Sequence, residues 1–167
     1  PLYAELRAGN RERLGDVATF TKSSPADLLR HQYNLTGPAL TVSNACASGT
    51  DAAGIAQLWL SAGLCDLVLV VGVDELNRIP VAGFHALGVA SPEPCRPFDR
   101  NRKGLNLGEG AGCLILETPE HAAKRGVKPD IELLSYGSAC DAYHPTSPHP
   151  EGRGLETAIR TALALAE

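Results

Sequence analysis

Apolar residues recur along the chain in two rhythms, one matching strands and one matching helices. The run Ala39 to Val42 is short and apolar, follows the Gly37-Pro38 turn signal, and predicts a buried strand leading directly into Cys46. From Ala52 to Ala62 the spacing becomes helical, with Ile55, Leu58 and Trp59 on one side and Gly63 where a helix C-cap belongs; this predicts a largely buried helix. Leu67 to Val73 is a continuous aliphatic run, the pattern of a strand covered on both faces. Cys113 to Glu117 repeats it, and Ile131 to Tyr136 alternates more loosely as a further strand. Leu155, Ile159 and Leu163 lie at helical spacing and predict a helix running to the end of the chain. Strands separated by helices, with near-continuous apolar runs, predict a layered α/β protein.

Composition adds few exclusions. At 167 residues, 44% of them apolar and 20% charged, the chain has the makings of a globular domain with a core rather than a disordered segment. A formal charge of -4 supplies no basic face for nucleic acid. No apolar stretch reaches membrane-helix length and no basic start is followed by a long apolar run, so a cytoplasmic protein without membrane association is expected. The chain starts at Pro1 and stops inside the last helical run without a capping residue, which predicts a chain cut at both ends. The polar stretch Thr118 to Pro129 is the one plausible seam, and no repeat or low-complexity tract is present.

Five cysteines, at 46, 65, 95, 113 and 140, are widely spaced and never form CxxC, which argues against a zinc site and a disulfide framework. Cys65, Cys95, Cys113 and Cys140 are assigned to packing, as small hydrophobes. Cys46 differs. It lies in Ser43-Asn44-Ala45-Cys46-Ala47-Ser48-Gly49-Thr50, between a predicted strand and a predicted helix. A thiol there meets the positive end of the helix dipole and unpaired backbone N–H groups, which favour thiolate, and small neighbours leave room for an acyl chain and a tight turn. Small residues equally permit close helix packing, so a buried structural cysteine competes with the nucleophile, and the local pattern alone does not choose.

Two further segments carry candidate chemistry. In Asp141-Ala142-Tyr143-His144-Pro145-Thr146-Ser147-Pro148-His149-Pro150 three prolines deny regular structure, which puts His144 on a rigid loop. His149 has nearly as good a local claim, and position alone leaves both open. The stretch from Arg96-Pro97-Phe98-Asp99 to Gly108-Glu109-Gly110-Ala111-Gly112 alternates glycines into a strand. A phosphate-cradling loop is one reading, but the Walker lysine is absent and the strand follows the glycines, so close backbone packing is favoured.

Taken together and in this order, the three segments resemble the β-ketoacyl-[acyl-carrier-protein] synthases, condensing enzymes of the thiolase-like superfamily. Asn44-Ala45-Cys46-Ala47-Ser48-Gly49 is similar to their nucleophile elbow, Arg96 to Gly112 to their RPFD and GEGAG stretch, and Asp141 to Pro150 to their HxTxPxP loop. The resemblance is closest to the elongating type II enzymes and runs from about Leu35 to the end.

It implies an α/β fold of thiolase-like, layered αβαβα architecture, present only in part. Residues 1–118 would be the later part of the first half, 119–130 a connecting segment, and 131–167 the start of the second half. It implies that Cys46 takes an acyl group as a thioester, with its own N–H in the oxyanion hole. His144 would stabilise or protonate the enolate formed when malonyl-carrier protein loses carbon dioxide, and Thr146 would contact the phosphopantetheine arm. His149 is left as a surface residue.

Acyl carrier protein is the implied partner, a homodimer the implied assembly, and no metal or dissociable cofactor is expected, because the thioester arrives on the carrier protein. A second histidine, a lysine and a glycine-rich segment that complete the family's site would lie beyond this sequence. Gly104-Leu105-Asn106-Leu107 departs from the phenylalanine and valine usual in the fatty-acid enzymes, which is compatible with a specialised polyketide or polyene pathway.

Four rivals stand beside this reading. A non-catalytic chain-length factor would lack Cys46, and a modular polyketide synthase domain would read closer to DTACSSS and HGTGT. A nucleotide-binding α/β module would need a strand-first glycine motif. An inactive portion of a larger folded unit would expose apolar faces and sheet edges.

Overall fold

A computed structural model describes residues 7–9 and 24–166. The remaining residues, including the opening of the predicted first half and Glu167, lie outside the described part. Two compact units are present: Leu69–Leu114, and the flanking segments up to Val68 and from Ile115.

In the flanking unit, α1 (Pro25–Gln32) starts where Ser24 Oγ accepts the Asp27 N–H at 3.1 Å, with Pro25 in the first turn. The predicted Ala52–Ala62 helix is α2 (Ser48–Ser61), which begins four residues earlier and so reaches back toward Cys46. It closes as predicted at Gly63: the Leu64 N–H bonds Trp59 O at 3.0 Å, the Gly63 N–H bonds Leu60 O at 3.0 Å, and Gly63 takes the left-handed backbone (φ +66°) that this closure requires. A short helix, α3 (Pro119–Lys124), occupies the expected connecting segment and is capped by Thr118 Oγ1 on the His121 N–H. The predicted terminal helix is α4 (Arg153–Leu165). Among its described residues, Ala56 of α2 and Ala122 of α3 are the buried hydrophobic side chains, each 2% exposed.

The unit Leu69–Leu114 contains a helix (Arg78–Ala86), started by Asn77 Oδ1 accepting the Ile79 N–H at 3.0 Å. The Arg96–Gly112 stretch begins as a loop held by the Asn106 side chain: its Nδ2 donates to Ser91 O at 2.7 Å, and its Oδ1 accepts the Cys95 N–H at 2.7 Å. Gly104 meets a close backbone approach, since a Cβ there would lie 2.6 Å from Val89 O. Packing, as predicted, accounts for that glycine.

The predicted strands Leu67–Val73 and Cys113–Glu117 form β1 (Leu67–Asp74) and β2 (Gly110–Glu117), paired side by side. The Thr118 N–H donates to Asp66 O at 3.0 Å, so the end of β2 meets the start of β1 and the pair is antiparallel.

Three expectations need correction. Ala39–Val42 and Ile131–Tyr136 are not strands here, because a strand is defined by ladder bonds and neither segment pairs in a ladder among the described residues. β1 is not covered on both faces: Val70 alone is buried, Leu67, Val68, Leu69 and Val71 are half-buried and its last three residues are exposed, since full burial takes a complete covering layer and none lies over it among the described residues. α2 buries only Gly54 and Ala56, while Leu58 is 61% exposed. Leu155, Ile159 and Leu163 form an exposed apolar stripe along α4.

Candidate active site

Cys46 sits on a turn that the small residues around it allow. Ala45 takes a left-handed backbone (φ +45°), which costs a non-glycine residue on the order of 1–2 kcal/mol. Bonds from neighbouring residues hold the turn there. The Asn44 N–H donates to Ser48 Oγ at 2.6 Å, and Ser48 Oγ donates to Ala45 O at 2.7 Å. The N–H groups of Ala47 and Ser48 donate to Asn44 O and Ala45 O at 3.0 and 3.2 Å. The result is a strained elbow with the Cys46 side chain exposed, two residues before the start of α2. Ala47, at the N-cap of that helix, brings no side-chain cap to it.

The other cysteines are free as well. Cys65 is half-buried, and desolvation followed by the charge of Asp66 pushes its thiol upward, the behaviour of an inert packing cysteine. Cys95, Cys113 and Cys140 are exposed among the described residues, against the packing assignment, because no described layer covers the segments that carry them.

The loop 141–152 is organised by Asp141. Its Oδ2 accepts the His149 N–H at 2.9 Å and its Oδ1 accepts the Gly154 N–H at 2.8 Å, so one carboxylate ties both the middle of the loop and the start of α4. These backbone bonds hold the Asp141 carboxyl below the usual carboxylate range. His144 lies on the loop, as predicted. Its Nδ1 accepts the N–H groups of Thr146 and Ser147, both at 3.1 Å, and Thr146 Oγ1 sits 3.4 Å from the same nitrogen. A ring nitrogen accepting backbone N–H bonds carries no proton, so the proton resides on Nε2, which becomes a donor. His149 is half-buried, with its ring centroid 5.0 Å from that of Tyr143. Among the described residues, no group of three His, Cys, Asp or Glu side chains forms a metal site.

Cys46 and His144 belong to the same compact unit, and bonds tie the elbow helix to the segment leading into the histidine loop. Gln57 Nε2 donates to Leu134 O at 2.7 Å, and Tyr136 OH donates to Asp51 Oδ1. The sequence reading missed Asp51, Tyr136 and the tying role of Asp141. The available signals were an acidic residue in the first turn of the helix after the cysteine and a single tyrosine closing the run Ile131 to Tyr136.

The family model for the β-ketoacyl synthase N-terminal domain matches residues 3–122. The chain belongs to the β-ketoacyl synthase family. The match begins some thirty residues before the motif-bearing stretch, so the synthase resemblance extends further toward the N-terminus than the motifs alone show. The synthase segment is 40% identical over 138 residues to a 3-oxoacyl-[acyl-carrier-protein] synthase homolog of Saccharomyces cerevisiae, covering 81% of the chain and 31% of the relative. It is 42% identical over 155 residues to nodulation protein E of Rhizobium leguminosarum bv. trifolii, covering 90% and 38%.

Among solved structures, the ishigamide ketosynthase/chain length factor superposes with a TM-score of 0.82 at 32% identity, over 99% of this chain and 41% of that one. A ketosynthase from Xenorhabdus doucetiae, solved in complex with its chain length factor, gives 0.74 at 38% identity, over 85% and 34%. The thiolase-like α/β fold is thereby shown, and the chain spans about a third to two fifths of the length of these relatives.

Proposed function

We propose that this chain supplies the nucleophile elbow and the first catalytic histidine of a 3-oxoacyl-[acyl-carrier-protein] synthase acting in fatty acid or type II polyketide biosynthesis. The observation that carries the proposal is Cys46 presented on a strained elbow directly before the N-terminus of α2. In the first half-reaction the Cys46 thiolate attacks the carbonyl of an acyl thioester on acyl carrier protein. A new S–C bond forms, the S–C bond to the pantetheine arm breaks, and the departing thiolate takes up a proton. In the second, malonyl-carrier protein loses carbon dioxide. The resulting enolate carbon attacks acyl-Cys46, a C–C bond forms, and the Cys46 thiolate leaves.

His144 has a defined part in this scheme. With Nδ1 occupied by backbone donors, its Nε2–H is available to hydrogen-bond the enolate oxygen as negative charge builds on it. Thr146, beside that ring, is assigned to the pantetheine arm. The scheme draws on no metal or dissociable cofactor, since the activated acyl group arrives already attached to its carrier. Residues 1–118, 119–130 and 131–167 are assigned to the later first half, the connection and the start of the second half of the thiolase-like fold.

The proposed assembly is a homodimer. The solved neighbours that pair a ketosynthase with a chain length factor define the alternative, and mass photometry of the protein with and without such a partner separates the two. Five free cysteines accord with a reducing, cytoplasmic setting.

The proposal is tested by incubating the protein at its natural length with an acyl carrier protein bearing a labelled acyl group, then mapping the label by peptide mass spectrometry. Label on the Cys46 peptide, absent in Cys46→Ala and retained in Cys113→Ala, is expected. Equal loss in both variants would refute it.

A further inference from the structure

The residues that fix the elbow form a chain of contacts reaching well outside it. Asp51, one turn into α2, uses both carboxylate oxygens: Oδ2 accepts Asn44 Nδ2 at 2.6 Å, and Oδ1 accepts the Tyr136 hydroxyl. Asn44 is two residues before Cys46, and its own N–H is bonded to Ser48 Oγ. Tyr136 lies in the segment that leads into the histidine loop and packs its ring on the bare face of Gly54, where a Cβ would fall 2.3 Å from the ring. The ring position and the hydroxyl bond are thus separate constraints on the same side chain. The two ionisable partners agree electrostatically. The bonds from Tyr136 and then Asn44 hold the Asp51 carboxyl low, and the bond to Asp51 raises the Tyr136 phenol. The pair therefore stays carboxylate and neutral phenol across the physiological range.

We infer that Asp51 and Tyr136 are positioning residues for Cys46, with Asn44 as the link that transmits their hold to the elbow. The physical need is plain. Ala45 sits in a costly left-handed conformation, and such a turn persists only where surrounding bonds over-determine it. Ser48 secures the elbow from within the turn, and the Asn44–Asp51–Tyr136 chain secures it from Tyr136, which lies 85 residues beyond Asp51 in sequence. The same chain couples the elbow to the stretch that carries His144. This inference rests on the reading of Cys46 as the nucleophile.

The test uses the protein at its natural length and iodoacetamide as the probe, with alkylation rate constants measured for each cysteine by peptide mass spectrometry. Cys95, also exposed, is the internal reference. Tyr136→Phe removes one oxygen and keeps the ring on Gly54, so it isolates the hydrogen bond. Asp51→Asn removes the charge, and Asp51→Glu restores it. Gln57→Ala is the control, because Gln57 bonds Leu134 O and ties the same two segments without touching the elbow.

The expected result is a fall of about tenfold in the Cys46 rate for Tyr136→Phe and Asp51→Asn, the size set by withdrawing one charge-assisted bond. Partial recovery in Asp51→Glu, and no change at Cys46 in Gln57→Ala or at Cys95 in any variant, complete the expectation. If Cys46 reacts no faster than Cys95 in the unmodified protein, the nucleophile reading fails. If Cys46 reacts faster but Tyr136→Phe leaves it unchanged, or Gln57→Ala slows it equally, the positioning role is overturned while the nucleophile stands.

Discussion

The contact between Gly54 and Tyr136 sets two opposing effects against each other, so the sign of one substitution is informative. Gly54→Ala places a methyl group in the interior of α2, where replacing glycine by alanine favours the helix by about 1 kcal/mol. At this position the new Cβ would lie 2.3, 2.4 and 2.6 Å from three carbons of the Tyr136 ring. Carbon atoms settle at roughly 3.5–4.0 Å, so the ring would have to withdraw by on the order of 1 Å. It cannot do so freely, because its hydroxyl is bonded to Asp51 and its backbone adjoins Gly137, which is pressed against α4. Overpacking of this kind costs about 1–3 kcal/mol, so the substitution should be net destabilising by roughly 1 kcal/mol despite the better helix former.

The assay is a double-mutant cycle read by thermal or urea unfolding of the protein at its natural length. In a Tyr136→Ala background the clash is gone, only the helical gain remains, and Gly54→Ala should become stabilising by about 1 kcal/mol. Stabilisation by Gly54→Ala in both backgrounds would refute the argument, since the ring would then be shown to yield at no cost.

Three further outcomes are expected. Gly137→Ala should destabilise by about 1–3 kcal/mol, because its Cβ would meet backbone atoms of α4, Ala158 O at 2.1 Å and Ala162 N at 2.8 Å; Gly108→Ala, with nothing within 4 Å, should be close to neutral in the same unfolding assay. His144→Ala should lower condensation by roughly 10²–10⁴-fold while acyl label still accumulates on Cys46, and parallel loss of both would show that the histidine serves the loading step instead.

The loop held by Asp141 should loosen in acid. Its carboxyl is depressed in the native state by the N–H bonds of His149 and Gly154, so the stabilisation is fully present above the ordinary carboxylate value of 3.8 and is lost as pH falls through the lower native value. Limited proteolysis across residues 141–152 at descending pH checks this. Asp141→Asn should show faster cleavage already at neutral pH, with little further dependence.

Much of the chemistry was legible in the residue order. The cysteine among small residues, the proline-bracketed histidine and the glycine-rich approach to a strand each record a local constraint. A turn needs small side chains, a rigid loop needs prolines, and a close backbone approach needs glycine, so local sequence carries them. Helix limits were legible for the same reason: Gly63 closes α2 through bonds that involve only its own last turn. The start of α2 at Ser48 was missed because Ser48 to Asp51 carry no apolar periodicity, and the side chains of Ser48 and Asp51 bond the elbow rather than fill a core.

What local order does not record is which distant residues meet. Nothing near Asp51 in sequence indicates that its second oxygen takes the hydroxyl of Tyr136, and the glycines at 54 and 137 look ordinary until the ring and the helix that press on them are in place. The segments Ala39–Val42 and Ile131–Tyr136 have strand composition, yet strand identity depends on a neighbour to bond, and among the described residues they pair in no ladder. The sequence by itself determined the family, the elbow and the candidate nucleophile and histidine, because those depend on short-range chemistry. Tertiary structure alone decided the tautomer of His144, the exposure of three cysteines and the Asn44–Asp51–Tyr136 chain, because each follows from contacts and covering layers that only a folded chain can supply.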